Sequence, residues 1–290
     1  MSKPEGKAPS DRLELSMVEV FDAPPELVFR NWTRAEDVAT WFAPDPFRVT
    51  LCDFDARVGT RWRVEYRSES GPTIAEYGEF LEVVAPERLV FTLTQEEPGR
   101  KGPETVVTVS LRALGAKTEM SFRQTGFESA ARRDGNADGW RECLQKLAAN
   151  LAAHELSDLF AAWSDASTRK DLDASMRPIA EHCLSYEHQA PLVYRGVRAI
   201  RESCKRGFEA TAQEFRWDVP DLKIVVHGDL AITWGLNRMR GTSSDGTRTE
   251  VWSRGTRVFQ KRDGVWKMIH QHVSFPFDPE TLAARMDLAP

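Results

Sequence analysis

Apolar and polar positions alternate in one half of the chain, switch to helical spacing, and then repeat the cycle. Leu13, Leu15, Met17, Val18 and Val20 sketch a strand that Asp22-Ala23-Pro24-Pro25 stops. Pro25 suits the first turn of a helix, and residues 26–32 repeat apolar groups at helical spacing (Leu27, Val28, Trp32). A second short helix carries Val38, Trp41 and Phe42 before Pro44. Residues 61–66 and 75–84 alternate, and 88–94 form a β-branched run. Residues 106–111 and 117–124 predict a hairpin around Gly115. Asp134-Gly135-Asn136 reads as a loop; after it Trp140, Cys143, Leu144, Leu147 and Leu151 mark one face of a long amphipathic helix.

The second half restarts with helices. Leu156, Leu159, Phe160 and Trp163 have helical periodicity, and residues 172–180 predict another helix. Residues 184–188 read as a short strand, Gly196 precedes a helix over 197–210, and four strand patterns follow to Phe275. Asp263-Gly264 between two of them is a hairpin signal, because both central residues of that turn need φ > 0. The pattern predicts a disordered lead-in over 1–12, domains over 13–153 and 154–277, and a tail over 278–290. No Gly/Ser linker and no internal repeat separate the halves.

At 290 residues the chain exceeds what one compact core usually needs, which favours two domains. A 41% hydrophobic and 29% charged composition is ordinary for a folded protein and argues against disorder. The net charge of -5 is spread in mixed sign, so no basic face suited to nucleic acid is expected. No apolar run approaches the ~20 residues of a membrane span, and the first residues lack an apolar signal core. Cys52, Cys143, Cys183 and Cys204 form no C-x-x-C pair and read as reduced, buried thiols of a cytoplasmic protein.

The blocks Phe21-Asp22-Ala23-Pro24-Pro25-Glu26-Leu27-Val28-Phe29-Arg30-Asn31-Trp32-Thr33 and Trp41-Phe42-Ala43-Pro44 resemble the SRPBCC families. The nearest is that of the activator of heat-shock-protein-90 ATPase homologues. Asp53, Asp55, Arg57, Val58, Gly59 and Trp62, then Tyr77-Gly78-Glu79-Phe80, Pro86-Glu87-Arg88-Leu89-Val90-Phe91-Thr92 and Gly139-Trp140 continue the likeness. Thr60 departs from it, where the family often has a second glycine. The resemblance implies an α+β helix-grip (START-like) fold, in which a curved antiparallel sheet wraps the long helix and leaves a cavity for an apolar ligand. Trp32, Trp41, Phe42, Trp62, Phe80 and Phe91 suit either that cavity or the core. Asp53 and Asp55 share strand parity but more simply flank a turn. No histidine precedes His154, so this half reads as a binding module.

In the second half, counting outward from Asp263-Gly264 sets Phe259 opposite Met268, Arg257 opposite His270 and Gly255 opposite His272. Arg257, His270, His272 and Ser274 would then form one polar strip on a pocket wall. The opposite face would carry Trp252, Arg254, Val258, Ile269, Gln271 and Val273, a mix suited to homodimer formation. Glu250, Tyr186 and His188 are the groups from which a partner for the Arg257 charge is expected.

Val226-His227-Gly228-Asp229-Leu230-Ala231 resembles the SnoaL-like and ketosteroid-isomerase-like families. Thr256-Arg257-Val258-Phe259, Arg262-Asp263-Gly264-Val265-Trp266 and His270-Gln271-His272-Val273-Ser274 are similar to the closing hairpin of the calcium/calmodulin-dependent protein kinase II association domain. Both belong to the nuclear transport factor 2 superfamily, which implies a cone-shaped α+β barrel. In the association domain the arginine matching Arg257 points into a pocket that receives small carboxylates; Val273 and Asn237 stand where further pocket arginines occur, so this pocket is less basic. The resemblance makes Tyr186, Asn237, Arg257, His270 and His272 ligand-binding candidates. It puts His188 near the catalytic acid of the isomerase-like enzymes, where a histidine suits acid–base work. His188, His270 and His272 also match a three-histidine zinc shell, but no carboxylate stands at metal spacing, so neither metal nor cofactor is expected. The resulting expectation is a protein that binds a small, largely apolar molecule in one or both domain pockets, with isomerase, cyclase or hydrolase chemistry open in the second domain. The competing one is an interaction protein, a chaperone-activator-like adaptor joined to a dimerising hub.

Overall fold

The structure, a computed structural model, describes residues 13–210, 214–242 and 246–290. The expected lead-in over 1–12 lies outside the described residues. The chain divides into two compact units, Met1–Ala152 and Ala153–Pro290.

In the first unit, β1 (Glu14–Phe21) leads into α1 (Pro25–Thr33) and α2 (Ala35–Trp41). Pro25 opens α1, and Asn31 donates from Nδ2 to the Leu27 carbonyl at 2.9 Å. Then come β2 (Arg48–Asp53), β3 (Arg61–Arg67), β4 (Ile74–Val84), β5 (Arg88–Glu97), β6 (Arg100–Lys101), β7 (Thr105–Leu114), β8 (Lys117–Thr125) and α3 (Ala130–Thr168), whose residues from Ala153 onward belong to the second unit. The strands pair antiparallel in the order β1-β8-β7-β5-β4-β3-β2, with β6 on β5. Strand β2 escaped the pattern reading because its side chains are exposed or half-buried without a clean period. The expected loop at Asp134-Gly135-Asn136 lies inside α3 instead. Buried Ala137 extends the stripe of Trp140, Leu144, Leu147 and Leu151 upstream by one turn, and that packing outweighs the low helix propensity of Gly135.

Of the six aromatic groups expected at core or cavity, Trp32, Trp41, Trp62, Phe80 and Phe91 are core, with at most 1% of their surface exposed. Only Phe42 also lines the cavity beneath the sheet. Trp140 stacks on Trp32 at 5.9 Å and donates from Nε1 to Gln124 Oε1 at 2.8 Å, so its one polar atom is satisfied.

In the second unit, α4 (Leu172–Met176) is capped by Asp171, whose Oδ1 accepts from the Ala174 N–H at 3.0 Å. The helix expected over 172–180 stops early because Pro178 cannot continue it, and Ile179 and Ala180 enter the core as the start of a strand instead. That strand is β9 (Ile179–Tyr186); β10 (Tyr194–Arg195), α5 (Gly196–Ala210), β11 (Glu214–Asp218), β12 (Lys223–His227), β13 (Leu230–Thr242), β14 (Arg248–Arg262) and β15 (Val265–Ser274) follow. The sheet runs β10-β9-β15-β14-β13-β11, with β12 on β13, and β9 pairs parallel to β15. The fold is α+β as expected, but among the described residues the curved sheet stays open, with no pair joining β10 to β11. Asp263 (φ 52) and Gly264 (φ 76) make the predicted turn between β14 and β15. No helix among the described residues is long and apolar enough to cross a membrane.

Candidate functional site

The β14–β15 hairpin begins in the expected register: Arg262 faces Val265 and Phe259 faces Met268. A β-bulge follows. Ile269 is the extra residue, so Val258 faces His270, Arg257 faces Gln271 and Gly255 faces Val273. A one-residue slip exchanges the two faces of a strand beyond it. The predicted strip is therefore corrected: Gln271 and Val273 are buried beside Arg257 and Gly255, while His270, His272 and Ser274 turn to the other face. Tyr186 goes with them. It is 42% exposed, and its ring meets His270 at 5.0 Å and His272 at 5.8 Å. His270 Nδ1 donates to the Leu184 carbonyl at 2.9 Å. The bulge thus takes three expected ligand-binding residues out of the interior. Nor do the three histidines gather, and no metal-holding group of His, Cys, Asp or Glu exists among the described residues.

Arg257 and Asn237 do come together inside. Arg257 is 2% exposed, and its Nη2 donates to Asn237 Oδ1 at 2.7 Å. Asn237 Nδ2 in turn donates to Ser253 Oγ at 3.0 Å. The guanidinium sits 5.6 Å from the ring centre of Phe160, 5.7 Å from Trp163 and 5.4 Å from Trp217. Phe160 and Trp163 come from α3, and Ser164 on the same helix donates to the Trp217 carbonyl, tying β11 to it. Gly255 makes room: a Cβ there would stand 2.9 Å from Arg257 Nη1 and 2.7 Å from Asn237 Nδ2. Sequence reasoning missed this cage, whose available signal was Phe160 and Trp163 on one face of a helix.

Arg257 Nε and Nη1 are buried and make no hydrogen bond. Glu250, expected as a partner, accepts from Trp252 Nε1 instead. No carboxylate lies within ion-pair distance of Arg257 among the described residues. Burial pulls its pKa down to about 10, partly opposed by the more distant charge of Glu187, so the group is still cationic at neutral pH. Glu187 itself accepts from Gln271 Nε2 at 2.6 Å and from Ser185 Oγ. Thr233, across the strand from Arg257, has a buried Oγ1 without a partner. His188 stacks on Phe275 at 4.4 Å, and its buried Nε2 also makes no hydrogen bond. Burial holds its pKa below the usual histidine value, opposed by Glu187 and reinforced by Arg257, so the ring is neutral at pH 7. The second unit therefore combines a fixed cation, a neutral imidazole and aromatic walls.

Two family models match the chain in sequence. Residues 22–152 match the activator of Hsp90 ATPase homolog 1-like protein family, and residues 156–278 match the SnoaL-like domain. Among solved structures, an NTF2-like protein of unknown function from Pseudomonas putida KT2440 is 27% identical over 48% of this chain and 96% of its own, with a TM-score of 0.45. The AHSA1 protein from Silicibacter pomeroyi is 23% identical over 49% of this chain and 99% of its own, with a TM-score of 0.45. A protein from Xanthomonas campestris, assigned as a calcium/calmodulin dependent protein kinase II association domain, is 21% identical over 42% of this chain and 86% of its own, with a TM-score of 0.38. No curated relative matches.

Proposed function

From a chain that joins an Hsp90-ATPase-activator-homologue-like domain to a SnoaL-like domain, we infer a small-molecule-binding protein whose second domain takes a small organic anion. Both families are typically ligand-binding. The observation that carries the choice of ligand is Arg257: among the described residues, a buried, charged guanidinium with two unused donors and no carboxylate partner. A buried charge is stable only when paired, and Arg presents a planar fork that suits a carboxylate. The Phe160, Trp163 and Trp217 rings supply apolar walls for the body of the ligand. Acid–base chemistry on that ligand is the second reading, favoured by the neutral, unpartnered Nε2 of His188. The free thiols fit a cytoplasmic protein. Benzoate at about 100 times its Kd is expected to stabilise the second domain by about 2.7 kcal/mol, with uncharged benzamide giving no shift. Equal shifts from the two, or none from benzoate, would refute an anion site.

We also propose a homodimer through the outer sheet face. Besides Tyr186, His270 and His272, that face exposes Leu230 (48%), Ile232 (48%) and Trp234 (44%) along β13. Gln271 and Val273, assigned to that face from the sequence, are not part of it. Sedimentation at micromolar concentration should give twice the chain mass, and Trp234→Glu should return the monomer; a wild-type monomer would exclude this interface.

A further inference from the structure

The first domain holds a cavity of its own, of about 250 Å³, between the sheet and the start of α3. That is near the lower end of ordinary ligand pockets, ~300–1,000 Å³. Its site is independent of Arg257 and of the reading built on it. Three polar side chains line it from adjacent strands: Tyr66 on β3, Glu76 on β4 and Gln95 on β5. Tyr66 donates its O–H to Glu76 Oε1 at 2.7 Å. Gln95 Nε2 lies 3.3 Å from the Tyr66 oxygen and 3.4 Å from Glu76 Oε1, donating to both.

The donors on this wall are therefore spent on one another. Trp140 Nε1 is also spent, on Gln124, and Asn136 Nδ2 donates to the Arg132 carbonyl at 3.1 Å. On the strand wall what remains is acceptor: among the described residues Glu76 Oε2 makes no hydrogen bond and no cation lies within ion-pair distance of Glu76. On the helical side of the cavity, Arg132 has Glu128 as its ion-pair partner at 3.4 Å, and its buried Nε makes no hydrogen bond among the described residues. Phe47 and Tyr66 meet edge to face at 5.6 Å, and both line the cavity together with Trp140.

The helical wall is kept low. Gly135 and Gly139 are one turn apart on α3, both line the cavity, and a Cβ on either would meet nothing within 4 Å. Glycine inside a helix costs about 1 kcal/mol relative to alanine. Alanine would meet no steric obstacle at either position, and its side chain would take up cavity space.

We propose that this cavity binds a small organic cation, a primary amine on a flat apolar body, with its ammonium on Glu76 and its body along Phe47, Trp140 and the glycine face of α3. Such a ligand brings the donors and the charge that the strand wall lacks. Facing Glu76 are Tyr66 from β3, Gln95 from β5, and Cys143 from α3. Burial pushes the Tyr66 hydroxyl and the Cys143 thiol up, with the Glu76 charge adding to both, so neither ionises in the working range. Glu76 is then the group whose titration controls binding; burial raises it to about 7, and the Tyr66 hydrogen bond opposes the rise.

The test titrates the full chain with phenethylamine and its neutral counterpart phenethyl alcohol, followed by calorimetry. At pH 8 the amine should bind saturably and at least about ten times more tightly than the alcohol. Its affinity should fall roughly tenfold per pH unit below 7 as Glu76 takes up a proton. Glu76→Gln should remove the preference for the amine and flatten the pH profile. Equal binding of amine and alcohol, an amine affinity unchanged in Glu76→Gln, or no saturable amine binding at pH 8 would each overturn the proposal.

Discussion

Arg257→Met is expected to leave the protein folded, with stability equal to the wild type or up to about 2 kcal/mol higher, and to abolish stabilisation by benzoate. A pKa drawn down to about 10 by burial corresponds to a cost of about 3 kcal/mol for keeping the guanidinium charged inside the fold. Methionine removes that cost and keeps much of the stem. It also strands Asn237 Oδ1, which loses its 2.7 Å donor; an unsatisfied buried acceptor costs about 1–3 kcal/mol. Asn237 keeps its bond to Ser253, which places the net change between neutral and modestly favourable. Chemical denaturation with and without benzoate separates the effects. Loss of 3 kcal/mol or more without ligand would identify Arg257 as half of a structural pair and remove the case for an anion site.

Glu76→Gln should stabilise the first domain by about 2–3 kcal/mol at pH 8, roughly 5–10 °C in its calorimetric transition, and by close to nothing below about pH 4. The sign follows from the proton. Glu76 has an ordinary value of 4.5 and holds its proton to about 7 in the fold. The folded state therefore binds the proton more tightly than the unfolded one. That preference is fully present below 4.5, is lost as pH rises toward 7, and stays lost above it. Glutamine is uncharged throughout, and its Oε1 still accepts from Tyr66. The difference between the two proteins should thus open between about pH 4.5 and 7. A difference independent of pH would mean that Glu76 stays ionised in the fold.

Legibility from sequence tracked distance from a fixed reference point. Asp263-Gly264 pins its hairpin, so pairings out to Phe259–Met268 followed by counting. Ile269 ended that certainty, because nothing in Met268-Ile269-His270 marks the inserted residue. Helix α4 fell short of its apolar pattern where Pro178 intervened, a signal present in the sequence. Glu76 was also within reach: on β4 it shares parity with Gly78 and Phe80, and Phe80 is fully buried. The aromatic cage was harder. Trp217 lies on a five-residue strand whose pairing partner, Met239, is more than twenty positions away.

The bulge at Ile269 has one more consequence. Lengthening one strand by a single residue decides whether the wall beside Arg257 carries imidazoles, which change charge near neutrality, or an amide and an isopropyl group, which do not. The composition of the hairpin is the same either way; only the phase differs. The electrostatic character of the second domain's interior is therefore set by an insertion, and point substitution at His270 or His272 acts on the outer surface instead. Comparing this domain with another of its architecture residue by residue, without first aligning the phase of β15, would assign a proton-active lining to an interior that has none on that strand.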